Sequence, residues 1–103
     1  MSFGLSETDL TIIREVLSSY SDVKIALIFG SRAKGTYKSA SDIDIALKGT
    51  LKPDTTDEIS AYLNNETPLP YFFDVLNYNT LTNPDLKKHI DRVGVVFYKN
   101  DKK

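Results

Sequence analysis

The chain has 103 residues, a formal net charge of −1 at pH 7, one histidine and no cysteine. Domains usually need about 100–200 residues, so we expect one domain spanning residues 1–103. The lack of cysteine excludes a disulfide scaffold and any thiolate metal site, and the near-neutral charge gives no electrostatic reason to expect direct DNA binding.

The first part of the chain predicts a helix followed by a buried strand. Apolar residues recur at helical spacing over residues 10–20, and Ser6 with Asp9 has the pattern of a capping box. Residues 23–29 are short, apolar and rich in β-forming side chains, and the run stops at Gly30. A strand that ends at a glycine turn is the expected structure.

The rest of the chain alternates predicted strands and helices. Residues 42–47 alternate between apolar and mainly acidic positions, which indicates a strand with carboxylates on one face. The remaining predictions are a helix over 53–64, a strand over 71–76, a helix over 83–94, a strand over 95–98 and a frayed tail over 100–103. This order favours an α/β (α+β) fold, with a mixed four-stranded sheet and helices packed mainly on one face.

Three aspartates predict a site for a hard cation. Asp42 and Asp44 point to the same side of their strand, with Cα atoms about 6.5–7 Å apart, close enough for both to bind such a cation. Asp74 lies in another predicted strand among apolar residues, where an ionised side chain needs a partner. These carboxylates therefore indicate a magnesium site.

The turn that precedes the first two aspartates predicts a phosphate-binding segment. Gly30 and Ser31 leave a buried strand and offer backbone N–H groups and a hydroxyl. Arg32 and Lys34 add positive charge suited to phosphate oxygens. We expect these four residues to bind phosphate groups.

Together these segments resemble the active site of the DNA polymerase β-like nucleotidyltransferase superfamily. The signature of that superfamily is Gly-Ser, ten residues and Asp-x-Asp, which matches residues 30–31, 32–41 and 42–44 without a gap. Asp74 matches the third carboxylate of the family. At this length the chain is similar to minimal nucleotidyltransferase (MNT) domains, so the resemblance covers nearly all of it.

The resemblance implies a role for each part of the site. The three carboxylates would bind two Mg²⁺ ions, and Asp74 would also help to deprotonate the acceptor hydroxyl. Gly30 and Ser31 would hold the phosphates of ATP, with Arg32 or Lys34 stabilising the departing pyrophosphate. The implied reaction is transfer of a nucleoside monophosphate.

The resemblance also implies a protein partner. Minimal domains of this kind are commonly encoded beside a helical HEPN-domain protein, and the pair acts as a toxin–antitoxin system. This chain would then be the antitoxin, transferring AMP from ATP to a hydroxyl, that of a tyrosine, on a HEPN ribonuclease toxin within a hetero-oligomer. The alternative is a non-catalytic antitoxin that binds and occludes the toxin. Transfer to a small molecule or an RNA end is disfavoured by the missing acceptor domain and the pI of about 5.7.

Several other residues are predicted to lie outside the chemistry. His89, near the end of a predicted helix, fits a surface or capping role. Tyr71, Phe72 and Phe73 fit the core and the sheet surface. Tyr37 could line a nucleotide pocket or cover the sheet edge, and the sequence leaves both alternatives open.

The hydropathy pattern predicts neither a membrane span nor an export signal. The longest apolar run, over residues 26–29, is far short of the roughly 20 residues that a span needs. Residues 1–4 lack the charged and apolar regions of a signal peptide. We therefore expect a cytoplasmic protein with no membrane contact.

Overall fold

A mixed four-stranded sheet forms the centre of the computed structural model, which describes residues 3–100. The strands are β1 (Ile25–Phe29), β2 (Ile43–Lys48), β3 (Phe73–Asn77) and β4 (Val95–Lys99). Their order is β3-β2-β1-β4, with β1 antiparallel to β2 and β4, and β2 parallel to β3. The predicted mixed sheet is confirmed. Of the frayed tail predicted over 100–103, residues 101–103 lie outside the described residues.

Helices connect and cover these strands. They are α1 (Glu7–Ser18), α2 (Gly30–Lys34), α3 (Thr55–Asn65) and α4 (Pro84–Val93), and Tyr78–Thr80 forms a turn of 3₁₀ helix. The sequence pattern did not predict α2 or the 3₁₀ turn, since segments of five and three residues are too short to show helical periodicity. In the described part of the chain, no helix has the length and apolar character to cross a membrane.

The predicted helix starts are confirmed by their capping contacts. The Asp9 N–H donates to the Ser6 hydroxyl at 3.0 Å, and the Ser6 N–H donates to the Asp9 carboxylate at 3.2 Å, which completes the capping box of α1. Asn83 caps α4 by accepting from the N–H groups of Asp85 and Leu86 at 3.0 and 3.2 Å. Both helices begin at capping side chains that lie close by in the sequence, so the sequence alone was enough to predict them.

The sheet separates a larger core from a smaller one. Helices α1 and α3 pack on one face, where Ile28, Ile45 and Phe73 are fully buried. On the other face Ile90 of α4 packs against alternate strand residues, including Phe29 and Ala46. The prediction that helices lie mainly on one face is therefore confirmed, and α4 is the helix that takes the other face.

Candidate active site

The strand register brings two of the predicted carboxylates together. Asp44 of β2 and Asp74 of β3 are direct partners in the parallel pair. Their neighbours Ile45 and Val75 face the larger core, so the two aspartates point to the α4 side of the sheet. Asp42 comes just before the first residue of β2, two positions from Asp44 and on the same side of the chain.

The electrostatics of Asp44 show that the three carboxylates act on one another. Asp44 is half-buried, whereas Asp74 is exposed. Burial, followed by the negative charges of Asp74 and Asp42, raises the pKa of Asp44 to about 6. A cation placed among these side chains would relieve that repulsion.

The glycine of the signature allows close contact between the turn and the second strand. Phe29, the last residue of β1, pairs with Asp44, and the chain then turns at Gly30 with a φ of +73°. A Cβ at Gly30 would overlap the carboxylate of Asp44. Glycine is therefore required here both by the backbone conformation and by the space available.

Helix α2 places the next signature residue beside the carboxylates. Gly30 begins this helix, followed by half-buried Ser31. The N-cap residue is Phe29, whose side chain has no hydrogen-bond acceptor, so the first N–H groups of α2 lack a side-chain cap. These N–H groups and the Ser31 hydroxyl are the donors that the predicted phosphate site requires.

Arg32 does not take the predicted phosphate-binding position. Only 1% of its surface is exposed, and its guanidinium donates to the backbone carbonyls of Phe3, Ser39 and Ser41 at 2.9–3.3 Å. The prediction was wrong for Arg32 because its guanidinium is buried and makes its hydrogen bonds to carbonyls inside the protein. Lys34, in the same helix, is exposed and is the cation of this segment that phosphate could reach.

Tyr37, which the sequence left undecided, and Tyr71, which it assigned to the core and the sheet surface, both lie against this arginine. The rings of Tyr37 and Tyr71 have their centroids 5.3 and 5.0 Å from the Arg32 Cζ atom. Tyr37 therefore covers a buried arginine, a role that was not among its predicted alternatives. Nothing in the spacing of these residues could have indicated the contact, because they come from a loop and a segment before β3.

The sequence matches a known enzyme family over most of its length. Residues 11–103 match the polymerase beta nucleotidyltransferase family. The chain belongs to this family. A search of curated proteins gave no match.

The nucleotidyltransferase is also similar to solved structures. A toxin–antitoxin chain crystallised with AMP-PNP has a TM-score of 0.74 and 21% identity, over 90% of this chain and 75% of that one. A chain from the complex of MNT antitoxin with tri-AMPylated Shewanella oneidensis HEPN toxin has a TM-score of 0.70 and 17% identity, over 93% and 74%. A candidate nucleotidyltransferase from Sulfolobus solfataricus has 30% identity and a TM-score of 0.53, over 90% and 78%.

The acidic residues of this nucleotidyltransferase fit a magnesium site that substrate would complete. Within residues 3–100, no three side chains of the metal-ligating types converge on one point. Mg²⁺ is usually held by one or two carboxylates together with substrate phosphates and water, so such a cage is not needed. Asp44, with its register partner Asp74 and nearby Asp42, supplies the oxygen donors that Mg²⁺ prefers.

His89 lies on the same side of the sheet as the carboxylates. Its ring meets the ring of Phe29 edge-on, with centroids 6.1 Å apart. Sequence reasoning placed His89 at a helix end but could not show that α4 covers this face. The contact is a packing contact, whereas the sequence predicted a surface or capping role for His89.

A cavity of about 320 Å³ lies elsewhere, between the carboxyl-terminal parts of α1 and α3. Its lining includes Glu15, Tyr20, Tyr62 and Pro68. None of the predicted site residues lines it, and it belongs to the opposite face of the sheet. The cavity is therefore separate from the nucleotidyltransferase site.

Proposed function

We propose that the chain, as one cytoplasmic catalytic domain over residues 1–103, transfers AMP from ATP to a hydroxyl of a partner HEPN toxin and so acts as its antitoxin. The observation that carries the proposal is the pairing of Asp44 with Asp74 beside Gly30, at the signature spacing of a nucleotidyltransferase. The similarity to a chain from the complex of MNT antitoxin with tri-AMPylated HEPN toxin supports the substrate and the partner.

The proposed cofactor is Mg²⁺, two ions of which would be held by Asp42, Asp44 and Asp74. When bound, these ions would polarise the α-phosphate of ATP and neutralise the charge that develops on the attacking and leaving oxygens. The raised pKa of Asp44 supports this assignment, since it shows carboxylates close enough to repel one another. All other roles fall to groups of the protein itself.

The protein groups orient the two substrates for an in-line displacement. The first N–H groups of α2 and the hydroxyl of Ser31 would hold the β- and γ-phosphates, with exposed Lys34 near the departing pyrophosphate. Asp74 would accept the proton of the acceptor hydroxyl. A bond forms from that oxygen to the α-phosphorus, and the bond from the α-phosphorus to the bridging oxygen breaks to release pyrophosphate.

The proposed acceptor is a tyrosine of the toxin. A phenol has a pKa near 10, so it loses its proton to a carboxylate base more readily than an aliphatic alcohol does. The exposed position of Asp74 supports an acceptor delivered by another protein, because a base at the surface is open to a side chain on a partner.

Intact-mass spectrometry tests the proposal. The HEPN protein encoded beside this gene is incubated with the purified chain, ATP and MgCl₂, and we expect mass increments equal to one or more AMP units. The double variant Asp42→Asn/Asp44→Asn should give none. Asp57→Asn, an exposed aspartate of α3, is the matched control and should behave like the native chain.

The same experiment separates catalysis from occlusion. An unmodified toxin that nevertheless co-purifies with the chain in a stable, inactive complex would replace the enzymatic proposal with the non-catalytic antitoxin. Fragmentation of a modified toxin then identifies the acceptor, and AMP on a residue other than tyrosine would overturn the acceptor assignment.

A further inference from the structure

Arg32 is the largest fully buried side chain of the described residues. A guanidinium stays charged in proteins, and burying a charge is unfavourable unless its donors are satisfied. Here Nη1 donates to the Phe3 carbonyl at 2.9 Å, Nη2 to the carbonyls of Ser41 and Ser39 at 2.9 and 3.3 Å, and Nε to Ser41 at 3.2 Å. Because these acceptors are all neutral backbone carbonyls, Arg32 holds in place the chain segments that carry them.

Aromatic rings enclose the guanidinium. The rings of Tyr37 and Tyr71 lie within reach of cation–π attraction, and the Tyr71 hydroxyl donates to the Asp9 carboxylate at 3.3 Å. Gly4, with a φ of +75°, passes so close to Tyr37 that a Cβ would overlap the ring. We call Arg32, Tyr37, Tyr71 and the three bonded carbonyls the arginine clamp.

The clamp connects the two halves of the signature. Arg32 follows Ser31 in α2. The Ser41 carbonyl, which accepts hydrogen bonds from both Nε and Nη2 of Arg32, directly precedes Asp42. Within the intervening loop, the Ser41 N–H donates to the Lys38 carbonyl at 2.9 Å and the Lys38 N–H donates to the Ser41 hydroxyl at 2.7 Å. One buried side chain therefore sets the distance between the phosphate-binding turn and the first carboxylate.

We propose that Arg32 is a positioning residue, which holds the 35–41 loop so that Asp42 and Asp44 can bind a divalent cation. This inference rests on the proposed function for the cation site and assigns Arg32 no contact with nucleotide. Groups that orient metal ligands from outside typically contribute 10–100-fold to metal affinity. Lysine at this position keeps the charge but has all its donors on a single nitrogen, so it cannot reproduce the three separate guanidinium nitrogens that donate here.

The test compares Arg32→Lys with the native chain in two measurements. Amide hydrogen exchange reports on the loop without any metal, and electron paramagnetic resonance of Mn²⁺ reports on cation binding. We expect faster exchange over residues 36–44 and at least tenfold weaker Mn²⁺ binding. Arg14→Lys is the matched control, because Arg14 Nε also donates to a backbone carbonyl, that of Phe97 at 2.9 Å, away from the site.

The two measurements separate this inference from the proposed function. Native exchange and native Mn²⁺ affinity in Arg32→Lys would overturn the clamp. A native chain that binds no Mn²⁺ would overturn the proposed cation site, and exchange over 36–44 would still decide whether Arg32 holds the loop.

A second variant applies if Arg32→Lys does not fold. Tyr37→Leu keeps every hydrogen bond of Arg32 but removes one enclosing ring, and Tyr37 is only half-buried in a loop. We expect changes in the same direction and of smaller size in both measurements. Values equal to those of the native chain would overturn the clamp.

Discussion

Among single residues, Asp44 shows most clearly that a carboxylate placed in the site lowers the stability of the fold. Burial, followed by the charges of Asp74 and Asp42, raises its pKa to about 6 from an ordinary value of 3.8. A carboxyl with a raised folded-state pKa stabilises the protein below its unfolded pKa, and that stability is lost as the pH rises through the folded value. Asp44 therefore opposes folding at neutral pH in the absence of cation.

The first prediction concerns this pH dependence. In the presence of a chelator, Asp44→Asn should be more stable than the native chain at pH 8, and the difference should vanish near pH 4, where the native carboxyl is protonated. Thermal unfolding at a series of pH values measures it. Asp57→Asn should follow the native profile, and parallel profiles for Asp44→Asn and the native chain would show that Asp44 does not titrate as described.

The second prediction uses two glycines with similar backbone conformations. Gly30 and Gly35 have φ values of +73° and +83°, but a Cβ at Gly30 would overlap Asp44, whereas one at Gly35 meets no atom within 4 Å. Alanine at either position should cost about 1–2 kcal/mol of stability through the left-handed backbone. Gly30→Ala alone should also displace Asp44 and abolish cation binding.

Denaturant unfolding and Mn²⁺ titration measure the two effects separately. Equal losses of Mn²⁺ affinity in Gly30→Ala and Gly35→Ala would attribute the effect to backbone strain and not to the contact with Asp44.

Among the elements, the sequence predicted those whose signals are local. The capping residues Ser6 and Asn83 identify the starts of α1 and α4, and both caps form. Strand starts were less accurate, since β1 begins at Ile25 rather than at 23 and β3 at Phe73 rather than at 71. Ladder hydrogen bonds from neighbouring strands decide where a strand begins, and a single stretch of sequence does not contain them.

Helix α3 begins with help from a residue far away in the sequence. Asp54, its N-cap, makes no side-chain capping bond. Instead the carboxylate of Asp22, before β1, accepts from the Thr55 hydroxyl at 2.5 Å and the Lys52 N–H at 2.9 Å. Burial raises the pKa of Asp22, but these two hydrogen bonds, together with one from its own backbone N–H and the charge of Lys52, lower it below the ordinary value.

The third prediction follows from this contact. Asp22→Ala should reduce the free energy of unfolding by about 1 kcal/mol, the usual contribution of a helix cap. Because the folded pKa is lowered, the native advantage should be present at neutral pH and should decrease as the pH falls below the ordinary value of 3.8. Urea unfolding at pH 7 and pH 3 tests both statements; a pH-independent difference would contradict the second.

For the whole molecule, the sequence predicted the residue types of the site better than the contacts that hold them in place. The spacing of the signature and the isolated Asp74 predict three neighbouring carboxylates, and the β2–β3 register pairs two of them, Asp44 and Asp74. The arginine clamp could not be predicted, because a charged side chain between the glycine turn and Asp42 has the same sequence signal whether it faces solvent or the interior.

The fourth prediction links cation binding to global stability. At a Mn²⁺ concentration about ten times its dissociation constant, the native chain should gain about 1.4 kcal/mol of stability, which raises the melting temperature by several degrees in a domain of this size. Asp42→Asn/Asp44→Asn should show no such gain. A shift of equal size in the double variant would place the cation elsewhere on the molecule.

The parallel pairing of β2 with β3 also determines when the site first exists during folding. Parallel strands cannot be joined by a tight turn, so Asp44 and Asp74 become neighbours only after α3 has crossed over the sheet. Contacts of this long-range kind are slow to form. Under the proposed function, a chain still emerging from the ribosome must complete this crossover before it can transfer AMP, and partly folded molecules are inactive.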